Sequence, residues 1–138
     1  MGRILAIDYG TKRVGLAVTD PLKIIATALD TVRTHLLLDY LKKYLATEKV
    51  ESFVLGMPVN LDLTDTNSTQ AVRNFEKILT KNFPNIPVYK VDERLTSKMA
   101  VDAMIRGGMK KKDRQKKENV DKISAVIILQ SYLAQQQL

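Results

Sequence analysis

Residues 3–32 read RILAIDYGTKRVGLAVTDPLKIIATALDTV, and this stretch decides the fold. Arg3 to Tyr9 is rich in apolar and β-branched residues and stops at Gly10, which predicts a largely buried strand. Gly10 to Arg13 is the length of a tight turn. Val14 to Thr19 gives a second strand closed by Asp20-Pro21, and Ile24 to Val32 gives a third. A parallel crossover needs a dozen or more residues, so three strands joined by such short links must be antiparallel neighbours.

Beyond residue 32 the period changes. Leu37, Tyr40, Leu41, Tyr44 and Leu45 keep the spacing of one helix face, with Thr34 placed to cap it. Glu51 to Met57 predicts a buried fourth strand halted at Pro58, and Val59 to Thr69 reads as a polar loop. Val72, Phe75 and Leu79 mark a second helix, and Val88 to Val91 a fifth strand. Thr96 is placed to cap a third helix ending at Gly107-Gly108, and Asn119 a last apolar helix reaching Tyr132. The order β-β-β-α-β-α-β-α-α predicts an α/β domain with a mixed sheet and helices on both faces.

Composition narrows the chemistry. The 138 residues suit a single domain spanning 1–138 with a core of its own. There is no cysteine, which excludes a disulfide framework, a thiolate zinc site and a thiol nucleophile, and fits a reducing compartment. The one histidine, His35, excludes a multi-histidine metal centre and reads as a surface residue. No apolar run approaches the roughly 20 residues of a membrane span, and no signal-peptide core follows the start, so a cytoplasmic protein is expected. The net charge of +7 draws the chain toward polyanions, nucleic acid first.

That charge is concentrated. Arg106, Lys110, Lys111, Lys112, Arg114, Lys116 and Lys117, with Asp113 the one acid among them, carry six of the seven net charges. The segment holds no aromatic residue to stack on bases, so phosphate contacts and salt-sensitive binding are expected rather than base readout. A solubilising loop is the plainer account. Lys12 and Arg13, after the first strand, could extend the positive rim.

Three acidic positions could carry chemistry. Asp8 shares its side of the strand with Ile4 and Ala6, and a carboxylate on an apolar face is costly unless it is hydrogen-bonded, paired or bound to a metal. Locally it fits either a functional acid or a strand-end Asp accepting backbone hydrogen bonds from the turn. Asp92-Glu93-Arg94 follows the fifth strand, where ligands of open α/β sheets collect, although a solvated ion pair would read the same. Asp121 lies in the first turn of the last helix, where the helix dipole alone could account for an acid. Taken together, three carboxylates from distant parts of the chain could hold Mg²⁺ or Mn²⁺ for phosphodiester hydrolysis without histidine or cysteine.

The stretches IDYGTKRVGLAVTD, LGMPVNLD, VDERLT and VDKISAVIILQSYL, in this order, resemble the YqgF family, also called RuvX, a family likened to Holliday junction resolvases. The resemblance implies a ribonuclease H-like fold with a five-stranded mixed sheet in the order 3-2-1-4-5. It implies a metal-dependent nuclease, assigned in bacteria to maturation of the 16S ribosomal RNA 5′ end. The family's acidic positions fall on Asp8, on Glu93 with Asp92 as a weaker ligand beside it, and on Asp121; Arg94 would orient an acid or contact phosphate. The family's Gly-x-Pro corner falls on Gly56 and Pro58. This chain departs from the family at Leu63, where members commonly carry glycine, which bears on the Asn60 to Thr69 loop.

The expected partner is structured RNA, with branched DNA as the alternative and a monomer or weak dimer as the acting species. A Holliday junction resolvase and a non-catalytic RNA-binding module are the rival readings. Metal binding that depends on the acids separates the last from the two nucleases. An actin-like or sugar-kinase ATPase, suggested by DYGTKRVG, needs a second domain for which the chain has no room.

Overall fold

The computed structural model describes residues 2–57, 67–92 and 117–136, with backbone alone for 67–68 and 117–122. Strands β1 (Arg3–Tyr9), β2 (Arg13–Thr19) and β3 (Ala26–Arg33) form an antiparallel meander. A 3₁₀ turn (Thr34–Leu36) leads into α1 (Leu37–Thr47), followed by β4 (Val50–Met57), α2 (Asn67–Asn82), β5 (Val88–Asp92) and α3 (Lys117–Gln136). β4 pairs parallel to β1, and β5 parallel to β4. The sheet is therefore mixed, as the element order predicts, and its strand order is 3-2-1-4-5, as the family resemblance implies.

Strand alternation builds two cores. Leu5, Ile7, Val14, Leu16, Phe53 and Leu55 face one way and pack with Leu37 and Leu41 of α1 and with Val72, Phe75 and Leu79 of α2. Ile4, Ala6, Ala17, Val54 and Val91 face the other way and pack against Ala125, Ile128, Leu129 and Tyr132 of α3. The central strands are buried on both faces, which is why they read as near-continuous apolar runs. Tyr40 and Tyr44 pack at the margin of the α1 core, as their place on the apolar stripe predicts. Among the described residues, no helix is long and apolar enough to cross a membrane.

Several boundaries move for identifiable reasons. β3 begins at Ala26 rather than Ile24, because the Asp20 carboxylate accepts the backbone N–H groups of Ile24 and Ile25, both at 2.8 Å, and of Leu22 at 3.2 Å. These bonds hold the Asp20 carboxyl below its ordinary pKa and fold the chain into a loop in which Lys23 takes a left-handed φ of 61°. Ile24 and Ile25 are left exposed.

Thr34 does not cap α1. Its hydroxyl donates to the Gly10 carbonyl at 2.7 Å, and the helix opens through the 3₁₀ turn with no side-chain cap. α2 starts at Asn67, inside the predicted loop. α3 starts at Lys117 and runs to Gln136, so Asn119 lies within the helix instead of at its cap. The predicted helix from Thr96 to Gly108 lies outside the described residues.

Candidate active site at the carboxyl ends of the central strands

Asp8 is the next-to-last residue of β1, half-buried, on the face it shares with Ile4 and Ala6. Its partner across the β1–β2 ladder is Gly15. On the other side, the parallel register that sets Ile7 beside Leu55 brings Gly56 alongside Asp8. Directly alongside, neither neighbouring strand offers a side chain on this face, so the carboxylate has lateral room that a β-branched neighbour would fill. Asp8 engages other groups of the protein, so it is not an isolated charge.

The turn that follows Asp8 is tightly made. A Cβ at Gly10 would lie 2.4 Å from the Arg13 carbonyl oxygen, which only glycine tolerates. The Thr34 N–H donates to the Lys12 carbonyl at 3.1 Å, tying the turn to the end of β3. Lys12 is exposed and Arg13 half-buried at this end of the sheet. Tyr9 stacks on Phe75 with ring centroids 4.5 Å apart, and burial raises its hydroxyl pKa.

Asp92 closes β5, exposed, with Met57 of β4 as its partner. It therefore lies at the same end of the sheet as Asp8. The pleat, however, gives it the side of Val88, which packs in the α1–α2 core, and of Lys90, which pairs with Glu76 of α2 at 3.4 Å. Val91, one residue earlier, shares the Asp8 face.

The direction of α3 places position 121. Tyr132, near its end, meets Tyr89 with centroids 5.6 Å apart and lines one cavity with Ile4 and Ser52, at the start of the strands. Ala125, fully buried, packs in the cluster with Ala6. The helix thus runs antiparallel to β1. From Tyr132 back to position 121 it rises about 16 Å, and β1 climbs about 13 Å from Ile4 to Asp8. The backbone of residue 121 accordingly lies toward the Asp8 end of the sheet, one turn before Ala125.

Glu93, Arg94, Arg106, Lys110, Lys111, Lys112, Arg114 and Lys116 lie outside the described residues; Lys117 opens α3, and its side chain and that of Asp121 lie outside them as well. Among the described residues, no group of three or more metal-ligating side chains forms. Sequence reasoning did not relate Gly15 or Gly56 to Asp8, and it did not find a basic groove past Tyr9 that includes Arg33 and His35. Gly15 and Gly56 are visible in the sequence, but their relation to Asp8 exists only in the strand register.

Comparison with known proteins fits this arrangement. Residues 2–135 match the family model described as RuvX: Holliday junction resolvase. A protein of Amoebophilus asiaticus named as a candidate pre-16S rRNA nuclease is 52% identical over 134 residues, covering 97% of this chain and 95% of the relative. A protein of Porphyromonas gingivalis with the same name is 55% identical over 133 residues, covering 96% of each. Among solved structures, Thermus thermophilus RuvC in complex with a Holliday junction substrate superposes with a TM-score of 0.56 at 19% identity, covering 99% of this chain and 96% of that one. The likeness to RuvC is one of fold.

Proposed function

The chain belongs to the RuvX family, and from that premise we propose that it is a divalent-cation-dependent nuclease that processes the 5′ end of pre-16S ribosomal RNA. The observation that carries this reading is the placement of Asp8. It stands on an apolar face at the carboxyl end of a central strand, flanked by Gly15 and Gly56, at the end to which α3 brings position 121. Asp8, Glu93 and Asp121 are assigned as the metal-holding and catalytic acids; Asp92, the weaker candidate, shares their end of the sheet but takes the opposite side of β5.

The donor set fits the group. Carboxylate oxygens suit the hard cations Mg²⁺ and Mn²⁺, and the chain offers no cysteine to draw a softer metal. When bound, the cation supplies an activated water and neutralises the phosphate in an in-line displacement. The protein's own contribution is placement. The β1–β2 hairpin fixes Asp8, the docking of α3 on the sheet fixes position 121, and Lys12, Arg13, Arg94 and the basic segment from Arg106 to Lys117 hold the RNA backbone against carboxylates that would otherwise repel it.

The test is cleavage of a precursor rRNA with Mg²⁺ or Mn²⁺. Asp8→Asn is expected to lower the rate by more than about 100-fold, some 2.7 kcal/mol of transition-state stabilisation, with the melting temperature nearly unchanged. Full activity in that variant overturns the reading. A four-way DNA junction assayed beside the RNA distinguishes a resolvase, which needs two sites in a symmetric dimer. Acid-dependent Mn²⁺ binding distinguishes either nuclease from a binding module.

A further inference from the structure

Past the end of β1, on the side of the hairpin marked by Tyr9, the surface forms a groove of about 580 Å³ lined by Tyr9, Thr11, Lys12, Arg33, Thr34 and His35. Among the described residues no acid lines it; Asp39 lines the adjoining hollow with Arg33. Its basic residues Lys12, Arg33 and His35 come from three separate elements: the β1–β2 turn, the end of β3 and the 3₁₀ turn. Lys12, Arg33 and His35 are all exposed.

Two hydrogen bonds hold these elements in place. Thr34 donates its hydroxyl to the Gly10 carbonyl at 2.7 Å and its N–H to the Lys12 carbonyl at 3.1 Å. The backbones carrying Lys12, Arg33 and His35 are thereby fixed before any ligand arrives. The strand register adds a second observation. Arg13 and Arg33 are direct partners across the β2–β3 ladder. Arg33 is thus fixed at the end of the β2–β3 ladder, at the same end of the sheet as the turn that carries Lys12.

The geometry points to a phosphate-binding subsite in which Arg33 and His35, with Lys12 and Thr11, grip a backbone phosphate of the nucleic acid whose neighbouring phosphodiester lies at Asp8. The inference rests on the nuclease reading and extends it, because it adds a contact formed by elements remote in sequence from the basic segment of residues 106–117. A strand held at both places crosses the end of the sheet and cannot pivot about either one. Arg33 offers a planar fork of donors that matches phosphate oxygens, and the Thr11 hydroxyl and the His35 ring offer further donors.

The experiment measures binding of a labelled pre-16S 5′ hairpin to the full chain in an Asp8→Asn background, as a function of salt. Arg33→Ala is expected to weaken binding several-fold and to make the slope of log Kd against log salt shallower by about 0.7–0.9, the signature of one lost phosphate contact. His35→Ala weakens binding, and Arg33→Lys keeps the slope. An unchanged Kd and slope in the Arg33→Ala, His35→Ala double variant, with its melting temperature retained, overturns the subsite. Equal competition by inorganic phosphate at matched phosphate concentration also overturns it, as the groove would then serve a free anion. If Asp8→Asn still cleaves while Arg33→Ala flattens the slope, the groove stands and the nuclease assignment falls.

Discussion

Asp8 and Gly15 face each other across the β1–β2 ladder. The acid at the end of the central strand is therefore paired with the one residue that cannot crowd it. Valine at position 15 suits a strand on backbone grounds but sets two methyl groups beside the carboxylate. Gly15→Val is expected to lower cleavage by at least about tenfold, near 1.4 kcal/mol. Its stability loss, read from urea midpoints, should stay below that of Ile128→Ala, a fully buried core truncation costing about 2–5 kcal/mol. Wild-type cleavage by Gly15→Val would remove the glycine pair from the account of the site.

Ala125 is fully buried where α3 meets the sheet beside Ala6. Leucine there has nowhere to go, and overpacking of this kind costs about 1–3 kcal/mol. Ala125→Leu should also lift the start of α3, so cleavage is expected to fall further than the melting temperature alone accounts for. Activity that simply follows the folded fraction across temperature would count against position 121 belonging to the site.

Much of this was legible in advance, and the limits have physical causes. The meander and the inward positions of α1 and α2 follow from apolar period and link length, the sheet order from the family resemblance, and the face shared by Ile4, Ala6 and Asp8 from the pleat. The start of β3 was not legible, because Ile24 and Ile25 look like strand residues until the Asp20 carboxylate takes their N–H groups. Thr34 looks like a helix cap until its hydroxyl finds Gly10, 24 residues earlier in the chain. Arg33 and His35 carry no local sign of function, since what joins them to Lys12 is a strand register and two long-range hydrogen bonds.

The fully buried hydroxyl of Thr19 accepts the Ile4 N–H at 2.9 Å, where the β1–β4 register shifts between Arg3 and Ile4. Thr19→Val keeps the shape but strands that donor. The expected cost is about 1–3 kcal/mol, measured as a drop in urea midpoint without change in its slope. Since Thr19 lies at the far end of the sheet from Asp8, cleavage below the new midpoint should stay at the wild-type rate.

Alkaline stability reports the α1 core. Burial, followed by the charge and hydrogen bond of Asp30, pushes the Tyr40 hydroxyl up to about 12. An unfolded tyrosine ionises near pH 10. The unfolded chain therefore releases this proton first, so stabilisation is complete below about pH 10 and is lost as pH rises toward 12. Burial raises Tyr9, Tyr44 and Tyr132 in the same direction. Tyr40→Phe should flatten the loss of stability over that window, and the latest phase of the tyrosinate absorbance titration should vanish with it. An unaltered alkaline titration would show that Tyr40 does not govern it.

The antiparallel run of α3 along β1 carries a consequence for timing. Among the described residues all five strands precede this helix in the chain, yet the helix packs on the face that holds Ile4, Ala6 and Ala17 and brings residue 121 to the Asp8 end. A ribosome making the protein releases the strands with Asp8 before the partner acid of α3 has emerged. On the proposed site, a nascent chain is harmless to the RNA around it, and cutting begins only once the final helix has closed the fold.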